Sequence, residues 1–211
     1  MIFNVVTTMG RPENFSNLLE MLKPMNVKWH VITDNDAGFT LSFSESWIKH
    51  YSYDNNQQQF FERSNHAMNC FIEQEALNED EMYCFLNDDD AYEPDFFEKI
   101  SKAIEYAKSQ NHHGEIVVCS MKRGDNIPPD VKPPRCHPTT TLHAHPDNIR
   151  PGEVGLEQII LSGKVLKHYR FPLLVDGDGR FVVEVVRNNG AMFCPDAYVW
   201  FNYYEPGRWN T

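Results

Sequence analysis

Three consecutive aspartates, Asp88, Asp89 and Asp90, follow an apolar run from Tyr83 to Leu86. A short apolar run bounded by polar residues reads as a buried strand. Carboxylates crowded at the end of such a strand oppose one another's charge, and burial opposes all three. A hard divalent cation with oxygen ligands is the natural compensation. Ligands of open α/β sheets bind just beyond the carboxyl ends of the strands, which is where these acids fall. A second acidic motif, Asp176-Gly177-Asp178-Gly179, precedes a helical pattern. Its glycines allow tight turns and close approach of a ligand. Taken by itself it reads as a calcium loop or a plain turn. An EF-hand loop is excluded, because acids or Asn belong at its fifth position and Glu at its twelfth. Counted from Asp176 those positions hold Arg180 and Arg187, and counted from Asp88 the fifth is Tyr92.

Two further strand ends join the first. One closes at Thr7-Thr8-Met9-Gly10-Arg11 and another at Thr33-Asp34. Hydroxyls and a lone carboxylate suit a base and a ribose, and a guanidinium suits phosphate. Taken singly, each reads as a turn, a solvated loop or a surface helix start. Parallel strands place the three ends along one edge, where their side chains converge on a single crevice. Other candidates are weaker. His137, His143 and His145 share a loop with Cys136, and a solvated loop explains them as well as a metal or an acceptor does. Gly155-Leu156-Glu157-Gln158 is a candidate lining for the acceptor side. Trp200, Tyr203, Tyr204 and Trp209 suit stacking on a sugar, or a core or interface.

The elements that position these residues follow from periodicity and breakers. Strands are expected at Ile2 to Val6, Val27 to Thr33, Trp47 to Tyr53, Tyr83 to Leu86 and Glu115 to Met121. Later strands are expected at Ala191 to Phe193 and Ala197 to Tyr204, with an apolar run at Leu156 to Leu161. Helical spacing covers Pro12 to Leu22, opened by Pro12, then Gln57 to Leu77, Pro94 to Ala107 and Gly179 to Asn189. Residues 122–152, rich in Pro, His, Thr and Asp, read as a long excursion. Alternating strands and helices favour a mixed, mainly parallel sheet with covered faces, the α/β class. The expectation is one domain over 1–211, with nucleotide binding over about 1–110 and the acceptor part over about 111–211. Glu205 to Thr211 reads as an exit toward further domains of a longer polypeptide.

Composition narrows the partners. The chain has 211 residues, 41% hydrophobic and 23% charged, which is ordinary for a globular domain. A net charge of −11 argues against nucleic acid, whose binding needs a basic face, and against anionic lipid. The five cysteines, Cys70, Cys84, Cys119, Cys136 and Cys194, form no CxxC pair and fit a reducing compartment such as the cytoplasm. No basic, apolar leader opens the chain, and no stretch approaches the roughly 20 apolar residues of a membrane helix.

The run Phe85-Leu86-Asn87-Asp88-Asp89-Asp90-Ala91-Tyr92-Glu93-Pro94-Asp95-Phe96 resembles the DxD region of GT-A glycosyltransferases, especially the family-2-like ones. Arg63-Ser64-Asn65-His66-Ala67 resembles the R-x-N helix before that strand, and the first strand with its Arg-Pro is also similar. The likeness covers about residues 1–110 well and the rest loosely. An acidic chain of this size also resembles the N-terminal domains of chlorovirus enzymes that glycosylate capsids. The resemblance implies a GT-A fold and transfer of a sugar from a nucleotide-sugar, a UDP-sugar by family likeness, to a hydroxyl on a glycan or glycoprotein, with inversion. It implies Mn²⁺ or Mg²⁺ on Asp90 and Asp88. It places the nucleotide on Thr7, Thr8, Arg11, Asp34, Arg63, Asp88 and Asp89, and the base at Asp178, with Asp176 second. Many GT-A enzymes add a late histidine ligand. No histidine follows His168, so this chain departs from that pattern. A sugar-nucleotidyltransferase shares the sheet and acids, but Met9-Gly10-Arg11-Pro12 offers a single glycine for its phosphate loop. A non-catalytic carbohydrate- or metal-binding module is the rival of another class.

Overall fold

The computed structural model describes residues 1–35, 41, 43–54, 60–112, 114–123, 140–174 and 176–201. Its sheet runs β3-β2-β1-β4-β8-β6-β9-β5, with β7 added on β6. Strands β1 (Phe3–Thr8), β2 (Lys28–Asp34), β3 (Ile48–Tyr53) and β4 (Met82–Phe85) pair in parallel. They are joined by the crossovers that parallel pairing requires. α1 (Phe15–Leu22) lies between β1 and β2, and α2 (Phe60–Gln74) between β3 and β4.

Beyond β4 the sheet is mixed. β8 (Ile159–Ser162) inserts antiparallel to both β4 and β6 (Ile116–Arg123). β9 (Met192–Phe201) runs parallel to β6, while β5 (Ala91–Tyr92) and β7 (Thr140–Leu142) pair antiparallel with β9 and β6. α3 (Phe96–Ser109), the short α4 (Gly163–Leu166) and α5 (Gly177–Asn189) complete the order.

Each face of the sheet carries its own core, as side-chain alternation along a strand dictates. Phe3 and Val5 share one core with Leu18 and Leu22 of α1 and Phe96, Ile100 and Ile104 of α3. Val6, Ile32 and Phe85 share the other with Met68 and Phe71 of α2 and Phe181, Val182 and Val185 of α5. Doubly covered strands explain the continuous apolar runs seen in the sequence.

Three expectations are corrected. The two late strands are one, β9, whose register against β6 shifts between Cys119 and Ser120. Pro195 lies in that shift: it has no N–H to give the ladder, and Ser120 Oγ bonds its carbonyl at 2.9 Å. The helix expected from Pro12 opens as a 3₁₀ turn over Pro12–Asn14 before α1. The apolar run from Leu156 divides into a 3₁₀ turn, Leu156–Gln158, and β8. Residues 57–59 of the second expected helix lie outside the described residues. So do 124–139 of the excursion, with Cys136 and His137, and Tyr203, Tyr204 and Trp209.

Candidate functional site

Parallel pairing of β1 with β4 sets Val6 beside Phe85, so the loop after β1 lies against the acids after β4. Backbone N–H groups of Gly10 and Arg11 both donate to Asp88 Oδ2, at 2.7 Å each. The Arg11 guanidinium bonds Asp88 Oδ1 through Nη1, and the same nitrogen lies 2.9 Å from Asp89 Oδ1. Arg11 is 9% exposed, and its Nε finds no hydrogen-bond partner among the described residues. Asp88, Asp89 and Asp90 are all buried, Asp90 completely. Burial pushes the Asp88 carboxyl up to about 6, Arg11 opposing and Asp89 adding to the rise. Burial raises Asp89 as well, against the pull of Arg11.

The opposite wall comes from residues far away in the chain. β8 runs antiparallel to β4, with Ile160 beside Cys84, so the turn before β8 reaches the carboxyl end of β4. There Asn87 Nδ2 donates to Glu157 Oε1. Glu157 is buried, and this pushes its carboxyl up to about 8, with Asp178 and Asp89 adding like charge. Gly155 makes room for it: a Cβ there would lie 2.5 Å from Glu157 Oε2.

α5 delivers Asp178 in its first turn. The helix start is fixed by Asn65 of α2, whose Nδ2 bonds the carbonyls of Pro172 (2.9 Å) and Leu174 (3.3 Å). Gly177 is required by this packing, since a Cβ would lie 2.1 Å from the Pro172 carbonyl oxygen. The close neighbour at Gly177 is therefore backbone, not a ligand. Asp178 is half-buried, which raises its carboxyl, and Asp176 adds to the rise. Asp176, at the helix N-cap, instead pairs with Arg180 Nε at 2.8 Å on the exposed side.

The expected nucleotide residues divide. Thr8 Oγ1 lies 3.1 Å from Ser64 Oγ, and Arg63 and Asp34 are half-buried near Tyr53, whose phenol feels both charges. Thr7 is a correction. It is fully buried and accepts a hydrogen bond from Trp29 Nε1 at 3.0 Å, so its hydroxyl serves the core. His143 and His145 are exposed, and His145 Nδ1 accepts from Asp147 N as a loop cap. Trp200 meets a cation: Lys122 Nζ sits 4.7 Å from its ring centroid and 4.1 Å from that of Tyr198. Glu157 is the site residue whose importance the sequence hid. Its segment was visible as a lining, but its burial beside Asp89 and Asp178 depends on pairings made across the whole chain.

The donor set bears on a metal. Asp88, Asp89, Asp90, Glu157 and Asp178 offer only hard oxygen donors, the chemistry of Mg²⁺ and Mn²⁺. Among the described residues no group of three or more His, Cys, Asp or Glu side chains is arranged to hold an ion. The donor chemistry fits a divalent ion, while Asp88 and Asp89 are drawn to Arg11 instead.

The chain matches residues 1–349 of TarS from S. aureus with a TM-score of 0.62 at 18% identity, over 95% of this chain and 60% of that one. It matches a longer TarS structure with a TM-score of 0.63 at 17% identity, over 95% of this chain and 36% of that one. TarS is a GT-A-like glycosyltransferase. The fold is GT-A-like. This chain spans 60% of the shorter TarS chain. No protein-family model matches the sequence, and no curated protein matches it. No helix among the described residues is long and apolar enough to cross a membrane.

Proposed function

We propose that this GT-A-like domain is a metal-dependent glycosyltransferase that moves a sugar, with inversion, from a UDP-sugar to a hydroxyl of a glycan or glycoprotein. One observation carries the reading. The acids at the end of β4 and Asp178 at the start of α5 both lie close enough to buried Glu157 for Asp178 and Asp89 to add like charge to it. A fold alone supports many chemistries, and the gathering of these acids is what favours this one.

Thr8, Asp34 and Arg63 would hold the nucleoside at the carboxyl ends of β1 and β2. Arg11 would hold phosphate as a charge-assisted donor. Mn²⁺ or Mg²⁺ on Asp90, with Asp88 beside it, would neutralise the charge that develops on the departing diphosphate. Asp178 would take the proton of the acceptor hydroxyl as its oxygen bonds to the anomeric carbon. The bond from that carbon to the phosphate oxygen breaks, and its electron pair leaves with UDP. A carboxyl raised by burial is a stronger base than a free aspartate, which suits this role near neutral pH.

The test is a donor screen by mass spectrometry with Mn²⁺, on wild type and Asp90→Asn. Wild type should release UDP from one donor, and the variant should lose about 10² to 10³ of that rate, as when a charge-stabilising group is removed. Equal rates in the two proteins would remove Asp90 from the reading. A chain that binds UDP or sugar without turnover of any donor, with or without metal, would be a binding module.

A further inference from the structure

The helix that carries Asp178 does not fix its own start. Its N-cap residue, Asp176, makes no capping hydrogen bond and pairs with Arg180 instead. Residues 171–174, just ahead of it, belong to no helix or strand. They are tied to α2 by two asparagines four positions apart, on one face of that helix. Asn69 holds Phe171 twice, accepting from its N–H at 2.8 Å and donating to its carbonyl at 2.9 Å. Asn65 is almost fully buried, and its Nδ2 donates to the carbonyls of Pro172 and Leu174. The Leu174 carbonyl also accepts the N–H of Gly177 at 3.0 Å, and Gly177 directly precedes Asp178. Asn65 and the first residue of α5 therefore share one acceptor.

The same turn of α2 meets the other wall. Ser64, next to Asn65, lies 3.1 Å from Thr8 at the end of β1, and Arg63 lies near Tyr53. We propose that Asn65 is a positioning residue, which sets Asp178 against the nucleotide side of the site by holding the carbonyl to which the first N–H of α5 is bonded. The role rests on the reading of Asp178 as the base. Placement of a base matters to rate, since a misplacement of about 1 Å can cost about 10²-fold. Asn69 supplies the control. Phe171 is anchored a second time, its ring stacked on Phe181 with centroids 3.9 Å apart, so the bonds of Asn69 can be lost without freeing the start of α5.

The test compares Asn65→Ala, Asn69→Ala, Asp178→Asn and the double variant of Asn65→Ala with Asp178→Asn. The readout is UDP release from a panel of UDP-hexoses and UDP-N-acetylhexosamines, under the conditions of the donor screen. Asn65→Ala should lower kcat by about 10- to 10²-fold, with the donor KM little changed. Asn69→Ala should melt at a lower temperature and keep the kcat of wild type. On the Asp178→Asn background Asn65→Ala should have no further effect, because a residue that acts through Asp178 then has nothing to position. A merely structural role would lower kcat on both backgrounds alike. Hydrogen exchange should show the Gly177 amide losing protection in Asn65→Ala while the later turns of α5 keep theirs.

An unchanged kcat in Asn65→Ala, an equal loss on the two backgrounds, or an unchanged Gly177 amide would each overturn the positioning role and leave Asp178 as the base. Release of UDP from no member of the panel by wild type would remove the base and the positioning role together. Should Asn65→Ala fail to fold, Asn65→Ser takes its place. It keeps one donor on a smaller side chain, and a smaller loss of kcat, again absent on the Asp178→Asn background, is then the expected result.

Discussion

Two buried polar clusters hang from the same strand, and they balance their charge in opposite ways. Near the start of β1, Asn4 Nδ2 donates to Glu81 (2.8 Å) while its Oδ1 lies 2.9 Å from His30 Nε2. His30 Nδ1 continues to Tyr51 Oη (3.1 Å), and Tyr51 donates to Glu75. Each acid in this cluster has its own lysine, Lys28 for Glu81 (2.6 Å) and Lys49 for Glu75 (2.9 Å). Past the end of β1, Arg11 faces Asp88 and Asp89, and neither Glu157 nor Asp178 forms an ion pair among the described residues. Burial works against every one of these carboxylates. In the first cluster hydrogen bonds and lysines outweigh it, and Glu75 and Glu81 end below the usual range. In the second burial wins, and Asp88, Asp89, Glu157 and Asp178 end above it. The first cluster gives each acid its own lysine, whereas the second gives Asp88 and Asp89 one guanidinium between them and Glu157 and Asp178 no ion pair among the described residues. Buried acids perturbed in this way are candidates for a functional site.

The sharpest break in this comparison comes from Asp178→Asn. As the base of the proposed transfer, its loss should lower turnover by about 10² to 10⁴, the range of general base catalysis. UDP binding and the thermal midpoint should hardly change, because Asp178 carries no ion pair among the described residues. Turnover within a few-fold of wild type would move the base elsewhere in the crevice, with Glu157 the next carboxylate to test.

Asn4→Ala should do the reverse, harming stability and sparing chemistry. It strips a donor from Glu81 and an acceptor from His30 in a site that is almost fully buried. Orphaning a buried polar group costs about 1–3 kcal/mol. Denaturant unfolding should show a loss of that size with the UDP affinity unchanged. A neutral substitution would mean that the first cluster is slack.

Glu157→Gln separates the clusters by pH. A carboxyl raised from 4.5 to about 8 in the fold binds a proton there that the unfolded chain has released. The folded state then holds more protons than the unfolded state between about 4.5 and about 8, and stability falls as pH rises through that window. Gln keeps the acceptor for Asn87 and removes the titration, so the variant should flatten this fall in a series of thermal melts. Glu81→Gln should instead flatten the acid limb, since an acid held low stabilises the fold above its unfolded value and loses this as pH drops. Identical pH profiles for wild type and Glu157→Gln would show that Glu157 does not titrate as a buried acid.

Much of this was legible in the residues. The apolar runs at β1, β2 and β4 and the helical spacing of α1 and α3 state their own type, because doubly buried strands and amphipathic helices have distinct periods. The place of the acids just past the carboxyl end of β4 could be read from the sequence alone. Direction is what the run Ile159-Ile160-Leu161 does not encode, so the antiparallel insertion of β8 between β4 and β6 went unseen. With it went the role of Glu157, which depends on a bond to Asn87 across 70 positions of chain. Thr7 failed for a related reason. Thr7 and Thr8 look alike in sequence, but alternation along β1 gives one to Trp29 in the core and the other to Ser64 of α2.

The smallest effect expected is from Asp176→Asn, and its smallness is informative. Asp176 and Asp178 belong to one four-residue motif, and nothing local ranks them. The helix does, because a turn of α5 puts them on different sides: Asp178 beside Glu157, Asp176 beside Arg180. The Asp176–Arg180 pair is about half exposed, with side-chain exposures of 43% and 54%, and makes no capping bond. Such pairs contribute about 0–1 kcal/mol. Asn also remains a favourable N-cap residue. Turnover of Asp176→Asn should therefore stay within about twofold of wild type, against the large loss at Asp178. Steady-state rates of the two variants measured side by side settle which face of α5 the acceptor meets. A dead Asp176→Asn with an active Asp178→Asn would turn the helix around and put the reaction on the Arg180 side.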